Sequence, residues 1–212
     1  MSQPPETQPT EHAPTGRHFH NLALIGFMGV GKSTVGNLLA DTLGFELIDT
    51  DKVIEQREGR RIGEIFTHSG EAYFRKCEAT LVSELASARG KVISTGGGMV
   101  ANPRNLENLR QHCLIVCLWA SPEIIYERVK NQTHRPLLQA PDPLARIREL
   151  MQERTPTYRD AADIMVGVEH RHAPEVARHI AKSFHDASKP RIPGNALTTP
   201  IGSFRPSAPK VP

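Results

Sequence analysis

Five short apolar runs, at residues 21–25, 45–49, 91–95, 114–119 and 164–168, alternate along the chain with stretches of helical period. The runs are strand-sized, and 114–119 is apolar almost throughout, as expected of a strand covered on both faces. Between them, 35–43 carries a helical pattern closed by Gly44, and 51–88 is helical in pattern but interrupted at Gly59, Gly63 and Gly70. A helix is expected from Asn102 or Pro103 to about Gln111. Another opens at Ser121-Pro122-Glu123, with a cap, a first-turn proline and an early acid. Helices at 144–158 and 174–184 complete the set. Strands alternating with helices predict an α/β fold: a five-stranded parallel sheet with helices on both faces. In such a sheet every strand ends at the same edge, and ligands bind there.

The ends break the pattern. Ten of the seventeen prolines fall in 1–20 and 188–212, with few large apolar residues among them. Segments of that composition bury too little to offset the entropy of ordering, so 1–20 and 186–212 read as disordered tails around one domain, 21–185. The stretch 131–143 holds three prolines and reads as a lid loop. No stretch is long and apolar enough for a membrane span or a secretory signal, which favours a cytoplasmic protein with no membrane partner. A net charge of +3 comes from scattered arginines rather than a basic run. That suits small anionic ligands better than nucleic acid. Cys77, Cys113 and Cys117 have no metal-ligand spacing and read as small hydrophobes. The histidines, His170 and His172 among them, have no partner at catalytic spacing.

The chemistry begins at Gly26-Phe-Met-Gly-Val-Gly-Lys-Ser-Thr34, between the first strand and the first helix. Glycines at 26 and 31 let backbone N–H groups turn toward phosphate oxygens, and the helix N-terminus faces the same anion. Lys32 can reach the β/γ-phosphates, and the Ser33 hydroxyl can ligate Mg²⁺. Asp49 and Asp51 end the second strand at the same sheet edge. Asp49 suits Mg²⁺ held through water. Asp51 suits a substrate hydroxyl whose proton leaves late in phosphoryl transfer, though it is also a candidate N-cap for the helix that follows. Gly96-Gly97-Gly98 would let backbone approach a ligand closely. Arg135, in the lid, is placed to stabilise charge on the transferred group. Arg75 and Arg154 carry forks suited to a carboxylate, but nothing in their spacing makes them converge.

Taken together, the phosphate loop, Asp49-Thr-Asp51, Phe74-Arg75, Gly96-Gly-Gly98, Arg135-Pro-Leu-Leu138 and Arg154-Thr-Pro-Thr-Tyr158 resemble the shikimate kinase family, in that family's order and across the whole core. The resemblance implies a P-loop fold of the nucleoside-monophosphate-kinase type. It also implies transfer of the ATP γ-phosphoryl to the 3-hydroxyl of shikimate, in aromatic amino acid biosynthesis. By position, Asp51, Arg75, Gly97 and Arg154 would bind shikimate. Gly29, Val30, Gly31, Lys32, Ser33 and Thr34 would wrap the phosphates, with Ser33 and Asp49 toward Mg²⁺. Lys32, Asp51 and Arg135 would be the catalytic set. Arg128 resembles the family's adenine-side arginine, and Arg171 its late-loop nucleotide contact, with His172 a competing choice. A monomer acting on ATP and shikimate is the expectation. The alternatives are a related kinase for gluconate or a nucleotide, and a nucleotide-binding module without catalysis.

Overall fold

A computed structural model describes residues 17–131 and 140–188. The first strand, β1 (Asn21–Ile25), is buried at every position, and β4 (Cys113–Trp119) at all but its last. That continuous burial is why both read as unbroken apolar runs. With β2 (Glu46–Asp49), β3 (Lys91–Ser94) and β5 (Ile164–Gly167) they form a parallel sheet in the order β2-β3-β1-β4-β5. The chain departs from β1 to one side for β2 and β3, then crosses to the other for β4 and β5. The exit of β1 is therefore the topological switch point.

Among the described residues, seven helices cover the sheet: α1 (Lys32–Leu43), α2 (Thr50–Glu58), α3 (Ile62–Leu85), α4 (Pro103–His112), α5 (Pro122–Val129), α6 (Pro143–Ala161) and α7 (Ala173–Ser188). α1 packs on α7, α3 on α4 and α5 on α6. The glycines expected to interrupt 51–88 behave differently from one another. Gly59 closes α2 in the left-handed region, and Gly70 kinks α3 at φ 80° and ψ 166°. Gly63 lies inside the first turn of α3 and breaks nothing, because a single helical glycine costs only about 1 kcal/mol. Pro156 sits within α6, which continues to Ala161.

Residues 17–20 fall in the stretch expected to be tail, yet Phe19 is buried. Arg17 donates to the carbonyls of Arg110 and Cys113 and pairs with Asp163 at 2.6 Å, while its guanidinium lies over the Phe19 ring. Asp163 in turn accepts from the backbone N–H of Ile115. At the other end, α7 runs to Ser188, past the expected end of the domain.

Opposite the ligand edge lies a buried polar knot. The Asn21 amide donates to the Ala88 carbonyl (2.7 Å) and to His112 Nδ1 (3.0 Å), and its oxygen accepts from the Lys91 N–H. His112 Nε2 lies 3.3 Å from Asn108 Oδ1. With Nδ1 accepting, the proton belongs on Nε2, and the knot is complete only with a neutral ring. Burial, aided by the charge of His20, holds the His112 pKa below its ordinary value. The folded state thus disfavours the proton that the unfolded state accepts. The stability from this group is full above the ordinary imidazole range and is lost as pH falls through it. Thermal melts at pH 7.5 and pH 5.5 should show a loss for the natural chain that His112→Asn reduces; equal losses in both would contradict the role.

Candidate active site

The phosphate loop leaves β1 at its carboxyl end and enters α1. Gly26 has φ 132°, and a Cβ there would meet the Leu118 carbonyl oxygen of β4 at 2.4 Å, so the loop can begin its turn only with glycine. Lys32 Nζ donates to the carbonyls of Gly26 (2.8 Å) and Phe27 (3.0 Å), folding the ammonium back across the loop it would serve. The Ser33 hydroxyl donates to Asp49 Oδ2 at 2.9 Å. Asp49 Oδ1 accepts from the Lys52 N–H, so the cap of α2 is Asp49. The alternative that Asp51 is that cap therefore does not hold. Asp51 instead occupies the first helical turn, where its carboxylate points at the glycine run.

Two threonine hydroxyls join the strand exits. Thr50, fully buried, donates to the Ser94 carbonyl (3.3 Å) and accepts from the Gly96 N–H (3.0 Å). Thr95 donates to the Leu24 carbonyl through both its backbone N–H and its hydroxyl, each at 3.0 Å. The aspartates, the glycine run and the phosphate loop are thereby fixed to one another across β2, β3 and β1. A Cβ on Gly96 would lie 2.6 Å from Asp51 Oδ1 and 3.2 Å from Glu78 Oε1, which places both carboxyl groups against this backbone.

Beside the run opens a cleft of about 350 Å³ whose walls include Arg75, Gly97, Gly98, Arg154 and Tyr158. Arg75 and Arg154, unconnected in sequence, meet here. Arg75 Nη1 donates to Glu78 Oε2 at 2.7 Å, and its Nε and Nη2 both donate to Glu71 Oε1, at 3.2 and 2.7 Å. A Cβ on Gly98 would strike the Arg75 guanidinium at 2.8 Å. Arg154 lies with its guanidinium carbon 5.9 Å from the centre of the Phe27 ring in the phosphate loop, and its Nη1 close to Gly97. Tyr158 donates to the Gly97 carbonyl at 2.6 Å. Burial pushes the Tyr158 hydroxyl up to about 12, against the opposing charge of Arg154, so it stays a donor.

Glu78 has no exposed surface, and its Oε1 has no hydrogen-bond partner among the described residues. Burial raises its pKa, opposed by the hydrogen bond and charge of Arg75 and reinforced by Asp51 and Glu71. For Arg75, burial works against the charge, but Glu78 and Glu71 outweigh it and raise the pKa.

Arg128 bridges the phosphate loop and the exit of β5, donating to the carbonyls of Val30 and Val168 at 3.0 Å each. Arg171 stands on the surface before α7, 4.0 Å from Glu175, while the His172 carbonyl accepts from Glu175 and Val176 N–H groups. Arg135 and residues 132–139 of the expected lid lie outside the described residues. Thr50, Thr95, Glu78 and Tyr158 were not singled out from sequence. For Glu78 a signal existed, because a carboxylate three residues after Arg75 on one helix shares its face.

A parallel sheet in this order, with a phosphate loop at its switch point and a second polar cleft beside it, defines a P-loop kinase for small molecules. The family model for shikimate kinase matches residues 28–185, and the chain belongs to the shikimate kinase family. It is 44% identical over 168 residues to the shikimate kinase of Thermodesulfovibrio yellowstonii, an alignment covering 79% of this chain and 96% of that one. It is 49% identical over 146 residues to that of Thiobacillus denitrificans, covering 69% and 80%. Among solved structures, the Acinetobacter baumannii shikimate kinase in complex with shikimate superposes with a TM-score of 0.75 at 36% identity, covering 79% of this chain and 94% of that one. The Aquifex aeolicus enzyme gives 0.65 at 37%, covering 78% and 96%.

The closeness of Gly96 to Asp51 makes a direct test. Gly96→Ala forces the carboxylate aside without demanding a new fold. It should lower kcat by about 10²-fold, the usual cost of misplacing a reacting group by about 1 Å, while the melting temperature moves little. A folded variant with unchanged kcat would contradict this placement of Asp51.

Proposed function

We propose that the chain transfers the γ-phosphoryl group of ATP to the 3-hydroxyl of shikimate, giving shikimate 3-phosphate and ADP. The observation that carries the reading is the meeting of Arg75, Arg154 and Asp51 on one glycine run, beside the phosphate loop. Two guanidinium groups at one end of a cleft suit a carboxylate. The Asp51 carboxylate, against Gly96 at the start of the same glycine run, suits a hydroxyl. A hydroxylated ring acid satisfies both, and Gly97 leaves room for it against the backbone.

In this reading Lys32 exchanges the carbonyls of Gly26 and Phe27 for the β/γ-phosphate oxygens, and the N–H groups from Gly29 to Thr34 receive the rest. Asp51 accepts a hydrogen bond from the acceptor hydroxyl, aims its oxygen at the γ-phosphorus and takes the proton as the new bond forms. Arg135 stabilises charge on the group in transit. Arg128, already tied to Val30 and Val168, flanks the adenine side, and Arg171 is the proposed late-loop contact. Ser33 and Asp49 present an oxygen pair of the hard kind that magnesium prefers, beside the loop where phosphates would complete its shell. Such an ion would neutralise β- and γ-phosphate charge; the donor set fits it. Among the described residues no three His, Cys, Asp or Glu cluster for a metal.

Both substrates are reached from one sheet edge, so we take a monomer as the working unit. No helix among the described residues is long and apolar enough to cross a membrane, and we place the reaction in the cytoplasm.

A coupled assay of ADP release with ATP, Mg²⁺ and a panel of acceptors tests the reading. Turnover should require shikimate; activity with gluconate or a nucleoside monophosphate, and none with shikimate, would overturn it. Asp51→Asn should lose about 10²- to 10⁴-fold in kcat, the range for removing a positioned proton acceptor, while still binding ATP. Arg154→Ala should raise the shikimate KM by about 10- to 100-fold, as for loss of a charge-assisted hydrogen bond. Normal turnover in the first variant, or normal KM in the second, removes the corresponding role.

A further inference from the structure

Each side of the Arg75 guanidinium is occupied differently. Its Nη1 side is held by Glu78, which has no exposed surface. Its Nη1/Nη2 end abuts Gly98 so closely that a Cβ there would sit 2.8 Å from both nitrogens. The Nε/Nη2 edge remains, and there a single oxygen of Glu71 takes both donors. The Glu71 side chain is 65% exposed and, like Arg75, forms part of the cleft wall. It sits one helical turn before Arg75, so it can swing out to solvent without disturbing the backbone. Its partner cannot leave as easily, being anchored from behind by Glu78.

We propose that Glu71 is a resident carboxylate that competes with the substrate's own carboxylate for the Nε/Nη2 edge of Arg75. The proposal rests on the reading of Arg75 as a carboxylate-binding residue. Glu71 keeps the guanidinium paired and oriented while the cleft is empty, and a ligand carboxylate that makes two hydrogen bonds displaces its one-oxygen contact. A neutral polyol, having no charge to offer, leaves the pair closed. Glu71 therefore sets the affinity for the hydroxy acid, which must displace it, at some cost in that affinity. Its exposure keeps that cost small, since ion pairs open to water are weak.

The test compares Glu71→Gln and Glu71→Ala with the natural chain, measuring KM for shikimate and for ATP. Both variants should lower the shikimate KM by about two- to fivefold, the scale of one exposed ion pair, with the ATP KM unmoved. In an Arg75→Ala background the gain should vanish, because nothing remains to compete for. An unchanged or raised shikimate KM in both variants overturns the proposal, as does a gain confined to Glu71→Ala, which would assign the effect to bulk rather than charge. Arg75→Ala alone separates the two levels. If it raises the shikimate KM while the Glu71 variants gain nothing, only the competition is wrong. If it leaves KM unchanged, the carboxylate role of Arg75 fails and the competition falls with it.

Discussion

Two buried hydroxyls hold the active edge together. A parallel sheet brings its strand exits to one side but does not fix the loops that leave them. Thr50 hydrogen-bonds from the start of α2 to both Ser94 and Gly96, and Thr95 hydrogen-bonds from the end of β3 to Leu24. The first bond set aligns Asp51 with the glycine run, and the second aligns the glycine run with the phosphate loop. In the interior each bond has no water to compete with it, and losing the Thr50 hydroxyl would leave the buried Gly96 N–H unsatisfied, a penalty of about 1–3 kcal/mol.

Charge is organised around that frame in two depths. Glu78 lies wholly inside and fixes Arg75 from behind, while Glu71 faces water and covers its Nε/Nη2 edge. Arg154 is carried on α6, against Phe27 of the phosphate loop. Arg154 and the phosphate loop thus share a wall. Lys32, turned onto its own loop carbonyls, keeps its charge partnered within that loop. Phosphoryl transfer asks the protein chiefly for position and preorganised charge, and both are built into this edge.

Much of this was legible in the chain itself. The central strands β1 and β4 announced themselves as apolar runs because they are buried nearly throughout, and the phosphate loop's spacing tied Lys32 and Ser33 to anion chemistry. What escaped was the placing of single polar groups. Asp49 ends β2 in extended backbone and, through its side chain, also caps α2, which leaves Asp51 in the first turn against Gly96. Thr50 and Thr95 carry no hydropathy signal, since a buried hydroxyl and an exposed one read alike. Arg75 and Arg154 meet through the packing of α3 and α6 around the glycine run, which no local spacing encodes. Phe19 was hidden by its proline-rich surroundings, although Arg17 and Phe19 together form part of the core's edge.

Hydroxyl bonding at Thr50, and not strand order alone, aligns the Asp51 carboxylate with the glycine run beside the phosphate loop. Steady-state kinetics of Thr50→Val and Thr50→Ser test it. Valine keeps the shape and removes the hydrogen bonds, and kcat/KM for shikimate should fall by about 10- to 100-fold in a folded, ATP-binding protein. Serine should keep most of the activity. A folded Thr50→Val with the natural kcat/KM would contradict the account.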